Sequence, residues 1–239
     1  MADLILKRGQ TEFDHVVLAT QSTEKGAAWL AELCGAEVAI TDPEPGEWYW
    51  SAALPLRDGA MIEMLGPNPD HRSFHPLKAV LHRYATPKPI FWHLATGDFE
   101  RLCKVAGEAG APVERIEQRD SDTPYGRRRY RRGVLGPGFR TARPCVIQWE
   151  ARPDYPVFLQ PPCCAATRFE ISCPDPEGLN RVFEALGLQL RADKGRQRLA
   201  VGLHTPKGMI VLQGEGLVFE GLGALLQIAG LWAGHQLRG

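Results

Sequence analysis

The stretch that decides the fold is Phe13-Asp14-His15-Val16-Val17-Leu18-Ala19. It opens with an acid and an imidazole and runs on as unbroken apolar residues, the pattern of a buried strand. Ser22-Thr23-Glu24 supplies a helix N-cap, and Ala27, Ala28, Leu30, Ala31 and Leu33 carry helical spacing up to Gly35, which stops the helix. Val38-Ala39-Ile40 reads as a short second strand. The prolines and glycine of Asp42 to Gly46 exclude helix and central strand alike. Trp48 to Leu56 and Ala60 to Leu65 then form a hairpin around Arg57-Asp58-Gly59, where Asp-Gly is a strong turn signal. The order is β-α-β-β-β.

That unit recurs. A second copy opens at Ile90-Phe91-Trp92-His93-Leu94-Ala95, continues with a helix over Phe99 to Ala109 and a strand over Pro112 to Ile116, and closes on Cys145-Val146-Ile147-Gln148-Trp149. A third opens at Arg168-Phe169-Glu170-Ile171-Ser172, has its helix over Glu177 to Leu186, and closes on Met209-Ile210-Val211-Leu212-Gln213. Self-similarity at this length outranks any local motif as evidence of architecture. Pro153 to Pro162 reads as a linker. The expected organisation is paired units over residues 12–152, a third, degenerate unit over 163–214, and an apolar tail over 215–239 with a packing helix from Leu222 to Trp232.

Lys plus Arg and Asp plus Glu are both 28, so bulk attraction to nucleic acid or membrane is not expected. None of the six cysteines lies in a C-x-x-C pair; they read as reduced residues of a cytoplasmic protein. Leu4-Ile5-Leu6 is too short an apolar run for a secretory signal, and the tail falls short of the roughly 20 apolar residues that span a bilayer.

The opening Phe-Asp-His-Val-Val-Leu-Ala, the Leu-Arg-Asp-Gly-Ala-Met-Ile-Glu-Met-Leu-Gly-Pro hairpin and the unit order resemble the vicinal oxygen chelate superfamily, and within it the glyoxalase-like proteins. The resemblance implies an α+β fold of repeated β-α-β-β-β units forming open, cup-shaped mixed sheets. It also implies metal ligands at His15 and Glu63, with His93 and Gln148 as the counterparts in the second unit. Anchoring on Ser22 and Asp98 instead pairs His15 with Phe91 and sets His93 one strand period further along. The third unit offers only Arg168 and Val211 at these places. An imidazole and a carboxylate on adjacent strands can share one divalent ion, and the donor set does not choose among Zn, Ni, Fe, Mn and Co. Glu63 is also the expected catalytic residue, as a proton-transfer base. Against the metal stand an Asp-His pair that merely caps a strand edge and a Glu63 paired with an arginine.

Tyr125-Gly-Arg-Arg-Arg-Tyr-Arg-Arg-Gly133 reads as a loop entering a strand, its arginines either paired with Glu117, Asp120 and Asp122 or clamping an anion. Arg129 and Arg131, with Trp50 and Trp92 as an aromatic wall, are the expected substrate contacts. The functions expected are a divalent-metal-dependent lyase, isomerase or dioxygenase acting on a small oxygen-rich metabolite, or a metal-free small-molecule binding protein of the bleomycin-resistance type. A homodimer is the candidate assembly, and neither nucleic acid nor membrane is an expected partner.

Overall fold

The computed structural model describes residues 10–43, 46–73, 75–136 and 142–215; the tail and its expected helix lie outside the described residues. The first unit comprises β1 (Thr11–Ala19), α1 (Thr23–Cys34), β2 (Ala39–Thr41), β3 (Tyr49–Pro55) and β4 (Met61–Pro67). A short helix α2 (Pro76–Leu81) sits in the connector. The second unit is β5 (Lys88–Thr96), α3 (Phe99–Glu108), β6 (Val113–Thr123), β7 (Gly126–Leu135) and β8 (Cys145–Ala151). The third is β9 (Ala165–Cys173), α4 (Glu177–Ala185), β10 (Ala192–Lys194), β11 (Arg198–Thr205) and β12 (Gly208–Glu215). The class is α+β.

Local chemistry sets the boundaries. The Ser22 hydroxyl accepts from the backbone of Lys25, and Gly35 closes α1 at φ 65°, a left-handed conformation that favours glycine. Asp98 caps α3 by accepting from Arg101 N at 3.0 Å. The basic stretch, expected as a loop entering a strand, is strand from Gly126 onward: β6 and β7 form a long hairpin that turns before Gly126. Arginines alternating with tyrosine tolerate a half-exposed pleat, because each second side chain reaches solvent.

The first two units form a single curled eight-stranded sheet in the order β2-β3-β4-β1-β5-β8-β7-β6. In each unit the opening strand pairs in parallel with the closing one, β1 with β4 and β5 with β8. The two opening strands meet antiparallel at the centre. Val16, Leu18, Ile62, Met64, Trp92, Leu94 and Val146 turn to one face, where α1 and α3 cover them in one continuous core. The opposite face lines the cup.

The third unit keeps the element order but not the pairing. Its sheet runs β10-β9-β11-β12, so β9 pairs with β10 and β11 and not with β12. It therefore adds no third wall to the cup and packs on the helix-covered face. Phe169 lies 5.2 Å from Phe13 and 4.8 Å from Trp92, centroid to centroid. Arg181 Nε donates to Ala109 O at 3.1 Å. Two units of one chain thus complete the cup, and the third supports its floor from behind.

No helix among the described residues is long and apolar enough to cross a membrane.

The contact between the third unit and the cup is tight enough to test. A Cβ on Gly214 would meet the carbonyl oxygen of Pro89 at 1.9 Å, a backbone atom that cannot swing away. Gly214→Ala is expected to destabilise the chain by about 1–3 kcal/mol, read as a fall in Tm; an unchanged Tm would show that β12 does not bear on β5.

Candidate functional site

The site starts from an irregularity in β1. Phe13 pairs with Leu94 and His15 with His93, so Asp14 is an extra residue in the β1–β5 ladder. Bulges re-aim side chains, and here Asp14 and His15 meet: Asp14 Oδ2 lies 2.6 Å from His15 Nδ1. On the parallel neighbour, Val17 is the partner of Glu63, and the Glu63 carboxylate reaches to 3.4 Å from His15 Nε2. Across the central pair, the His93 ring stacks on that of His15, 4.0 Å between centroids and 21° between planes. Both imidazoles are buried.

Two further cations close the group. Arg152 follows β8 and its Nη1 stands 3.6 Å from Asp14 Oδ1. Arg132, from β7, donates through Nε to Glu117 at 2.6 Å. Its charge is felt by both Glu63 and His93.

The electrostatics follow from burial and these neighbours. Burial works to raise the Asp14 pKa, but the His15 hydrogen bond and the His15 and Arg152 charges prevail and hold it below the ordinary 3.8. Burial pushes Glu63 above its ordinary 4.5, against the pull of His15 and Arg132. Burial also drives His93 well below 6.5, helped by the charges of His15 and Arg132. His93 is therefore neutral at physiological pH, and its buried Nδ1 has no hydrogen-bond partner among the described residues.

The structure brings together His15, Glu63 and His93, and it turns the other expected residues away. Gln148 Oε1 accepts from Phe99 N and from Arg131 Nη2, both at 3.1 Å, so its amide is spent at the start of α3. Arg131 is on that same outer side, paired with Glu100 at 2.6 Å. Arg129 pairs with Asp120 at 2.9 Å in an exposed position. Trp92 is fully buried between the sheet and the third unit, with Phe169 and Phe183 around it. Trp50 donates to Thr41 O at 2.7 Å on the α1 side of β3, the face of Ala52 and Leu54.

One physical reason covers all five. Successive strand residues point to opposite faces, and each of these belongs to the face opposite the cup. The cup takes the residues one step along. Tyr130, Ile147 and Trp149 cluster with Ala95, and Phe91 and Tyr49 cluster with Val17. Tyr130 shares the parity of Arg128 and Arg132, so these arginines are the inward ones. The available signal was His15 itself: cross-strand partners share a face, so its position fixes the parity of β5, then β8, then β7. Asp14, recognised only as a possible cap, and Arg152 were missed because a bulge and a chain crossing leave no spacing signature.

Residues 13–197 match a family described as a glyoxalase-like domain. The chain belongs to that glyoxalase-like family. No curated protein matches it. A hypothetical protein from Staphylococcus aureus is similar in structure, with TM-score 0.54 and 11% identity over 87% of this chain and 86% of that one, which shows the shared fold. A methylmalonyl-CoA epimerase from Streptomyces coelicolor gives TM-score 0.42 and 18% identity over 61% of this chain and 99% of its own. Another from Mycobacterium tuberculosis gives TM-score 0.42 and 16% identity over 64% and 93%.

Among the described residues no three His, Cys, Asp or Glu donors gather around one point. What this glyoxalase-like site offers a divalent ion is the pair His15 Nε2 and Glu63 Oε2. Asp14 holds the other ring nitrogen, as outer carboxylates do for metal-binding histidines. That pair fits an ion held by two protein donors, with its other positions left to solvent or substrate oxygens.

The neutral His93 has a consequence for stability. Below pH 6.5 the unfolded chain takes up a proton that the buried ring refuses, so stability present above that pH is lost as pH falls. Asp14, depressed in the folded state, adds its own loss below 3.8. His93→Phe keeps a ring against His15 and removes the titration. Its Tm is expected to vary less than that of the wild type as pH drops from 6.5; parallel curves would place the acid sensitivity elsewhere.

Proposed function

We propose that this glyoxalase-like chain is a lyase or isomerase that moves a proton on a small oxygen-rich metabolite bound in the cup, with a divalent ion held by His15 and Glu63. The observation that supports this is the facing of His15 Nε2 and Glu63 Oε2 at 3.4 Å while Asp14 occupies His15 Nδ1. If the Nδ1 proton is kept by Asp14, two lone-pair donors face each other in a buried site. They need a positive charge between them: a proton on Nε2, which makes the ion pair felt by Glu63, supplies it in the free protein, and a divalent ion would take that place when bound. Bound there, the ion would polarise neighbouring substrate oxygens and stabilise an enediolate-type anion.

The chain's own residues do the rest. Asp14 fixes the tautomer and orientation of His15. Glu63, where it is not holding the ion, is the group placed to accept a proton from a carbon beside a carbonyl. His93 presents an unpartnered Nδ1 to whatever lies against it. Tyr49, Phe91, Tyr130 and Trp149 supply apolar walls that exclude water around the reacting group.

Elemental analysis of purified wild type, His15→Ala and Glu63→Ala tests the reading. Near-stoichiometric metal in the wild type, lost in both variants, is the expected result. Glu63→Gln should slow deuterium exchange at a substrate carbon by about 10²-fold or more. A wild type that neither carries metal nor takes up Mn, Fe(II), Ni or Zn on titration would overturn it and leave ligand binding without metal as the function.

A further inference from the structure

Arg152 has a setting that the reaction proposed above does not use. Its guanidinium lies 4.2 Å from the ring centroid of Phe158 and 5.3 Å from that of Trp149. The side chain is only 6% exposed. Its one ion-pair contact among the described residues is Asp14 Oδ1, at 3.6 Å, beyond hydrogen-bond length. Asp14 spends its other oxygen on His15. Nη2 is buried and has no hydrogen-bond partner among the described residues. A guanidinium offers more N–H groups than one distant carboxylate oxygen can satisfy, and leaving them dry is costly.

The place is as informative as the missing partner. Trp149 belongs to the cup cluster of the second unit, with Ala95, Tyr130 and Ile147. Phe158 packs with Ala39, Ala53 and Met61 of the first. Arg152 therefore bridges the two halves of the cup, beside the Asp14–His15 pair, and its charge reaches Glu63. Ring contacts on the guanidinium hold its plane still, which favours planar, two-pronged recognition of an oxyanion. Two more buried atoms of the site lack a partner among the described residues: Trp149 Nε1, on the ring beside Arg152, and His93 Nδ1, on the ring stacked against His15.

We propose that Arg152 is the specificity-determining residue of the cup: it binds a carboxylate carried by the substrate. The substrate class is then a short-chain carboxylic acid with a second oxygen function. The carboxylate docks on Arg152 Nη2, and the other oxygen reaches toward His15, Glu63 and His93. This rests on the proposed reaction for the site of chemistry but not for the binding contact.

Calorimetric titration with 2-, 3- and 4-hydroxybutyrate and their amides tests it, on wild type, Arg152→Lys, Arg152→Met and His15→Ala. The acid of fitting length is expected to bind wild type about 10- to 100-fold more tightly than its amide. Arg152→Met should lose that preference and Arg152→Lys should weaken it, both retaining the metal content of the wild type. His15→Ala should keep it, since the contact does not run through an ion. Where the Arg152 variants do not fold, the acid-over-amide preference of His15→Ala decides. Equal binding of acid and amide, no binding of any acid, or a preference that survives in Arg152→Met and vanishes in His15→Ala would overturn the proposal. In the last case, metal loss from His15→Ala would leave the proposed reaction standing.

Discussion

The antiparallel pairing of β1 with β5 is the constraint on which the rest of this structure depends. It joins the two units into one sheet and sets His15 directly opposite His93. Each strand carries its own parallel partner, β4 or β8, so the residues beside the two histidines are placed as soon as this pair forms. The same strands bury Val16, Leu18, Trp92 and Leu94 on the other side. A slip of one residue would carry the apolar set into the cup and the imidazoles into the core. Register and site are therefore fixed together, by the apolar face.

The cup buries charge, and it does so in linked pairs. Asp14 is held between His15 and Arg152, and Arg132 is held by Glu117. Glu47 serves Arg119 and Arg128. A carboxylate or guanidinium removed from water needs a partner of this kind. Three atoms of the cup break the pattern, His93 Nδ1, Trp149 Nε1 and Arg152 Nη2. Buried polar groups left short of partners in an otherwise paired site are where water or a bound molecule can supply the missing contact. The third unit contributes none of these groups; it keeps the floor rigid by packing Phe169 and Phe183 against Trp92.

Much of the fold was legible because it rests on local signals. Ser22, Gly35, Asp98 and the Asp-Gly turn mark the ends of elements, and the apolar runs mark the buried strands. Of the candidate residues, His15, Glu63 and His93 are rare types on strands, and the structure brings these three together. The site was misread wherever a residue's face had to be guessed: Trp50, Trp92, Arg129, Arg131 and Gln148 are each one step from a cup position. The pairing within the third unit was left open for a related reason. An element order says which segments are strands but not which strands pair, and β9 pairs with β10 where β1 pairs with β4.

The sequence by itself determined the α+β class, the repeated units and the strands that carry the imidazoles and Glu63, because strand and helix periods, caps and turns are written within a few residues of one another; which two units close the cup came from the pairing of β1 with β5. Only the tertiary structure decided the inward face of each strand, the bulge that turns Asp14 onto His15, and the crossing of Arg152 between the halves. Those depend on hydrogen-bond register and on contacts between Asp14 and Arg152, residues far apart in the chain. The energy that selects them resides in burying one face of a sheet against helices that no short segment specifies.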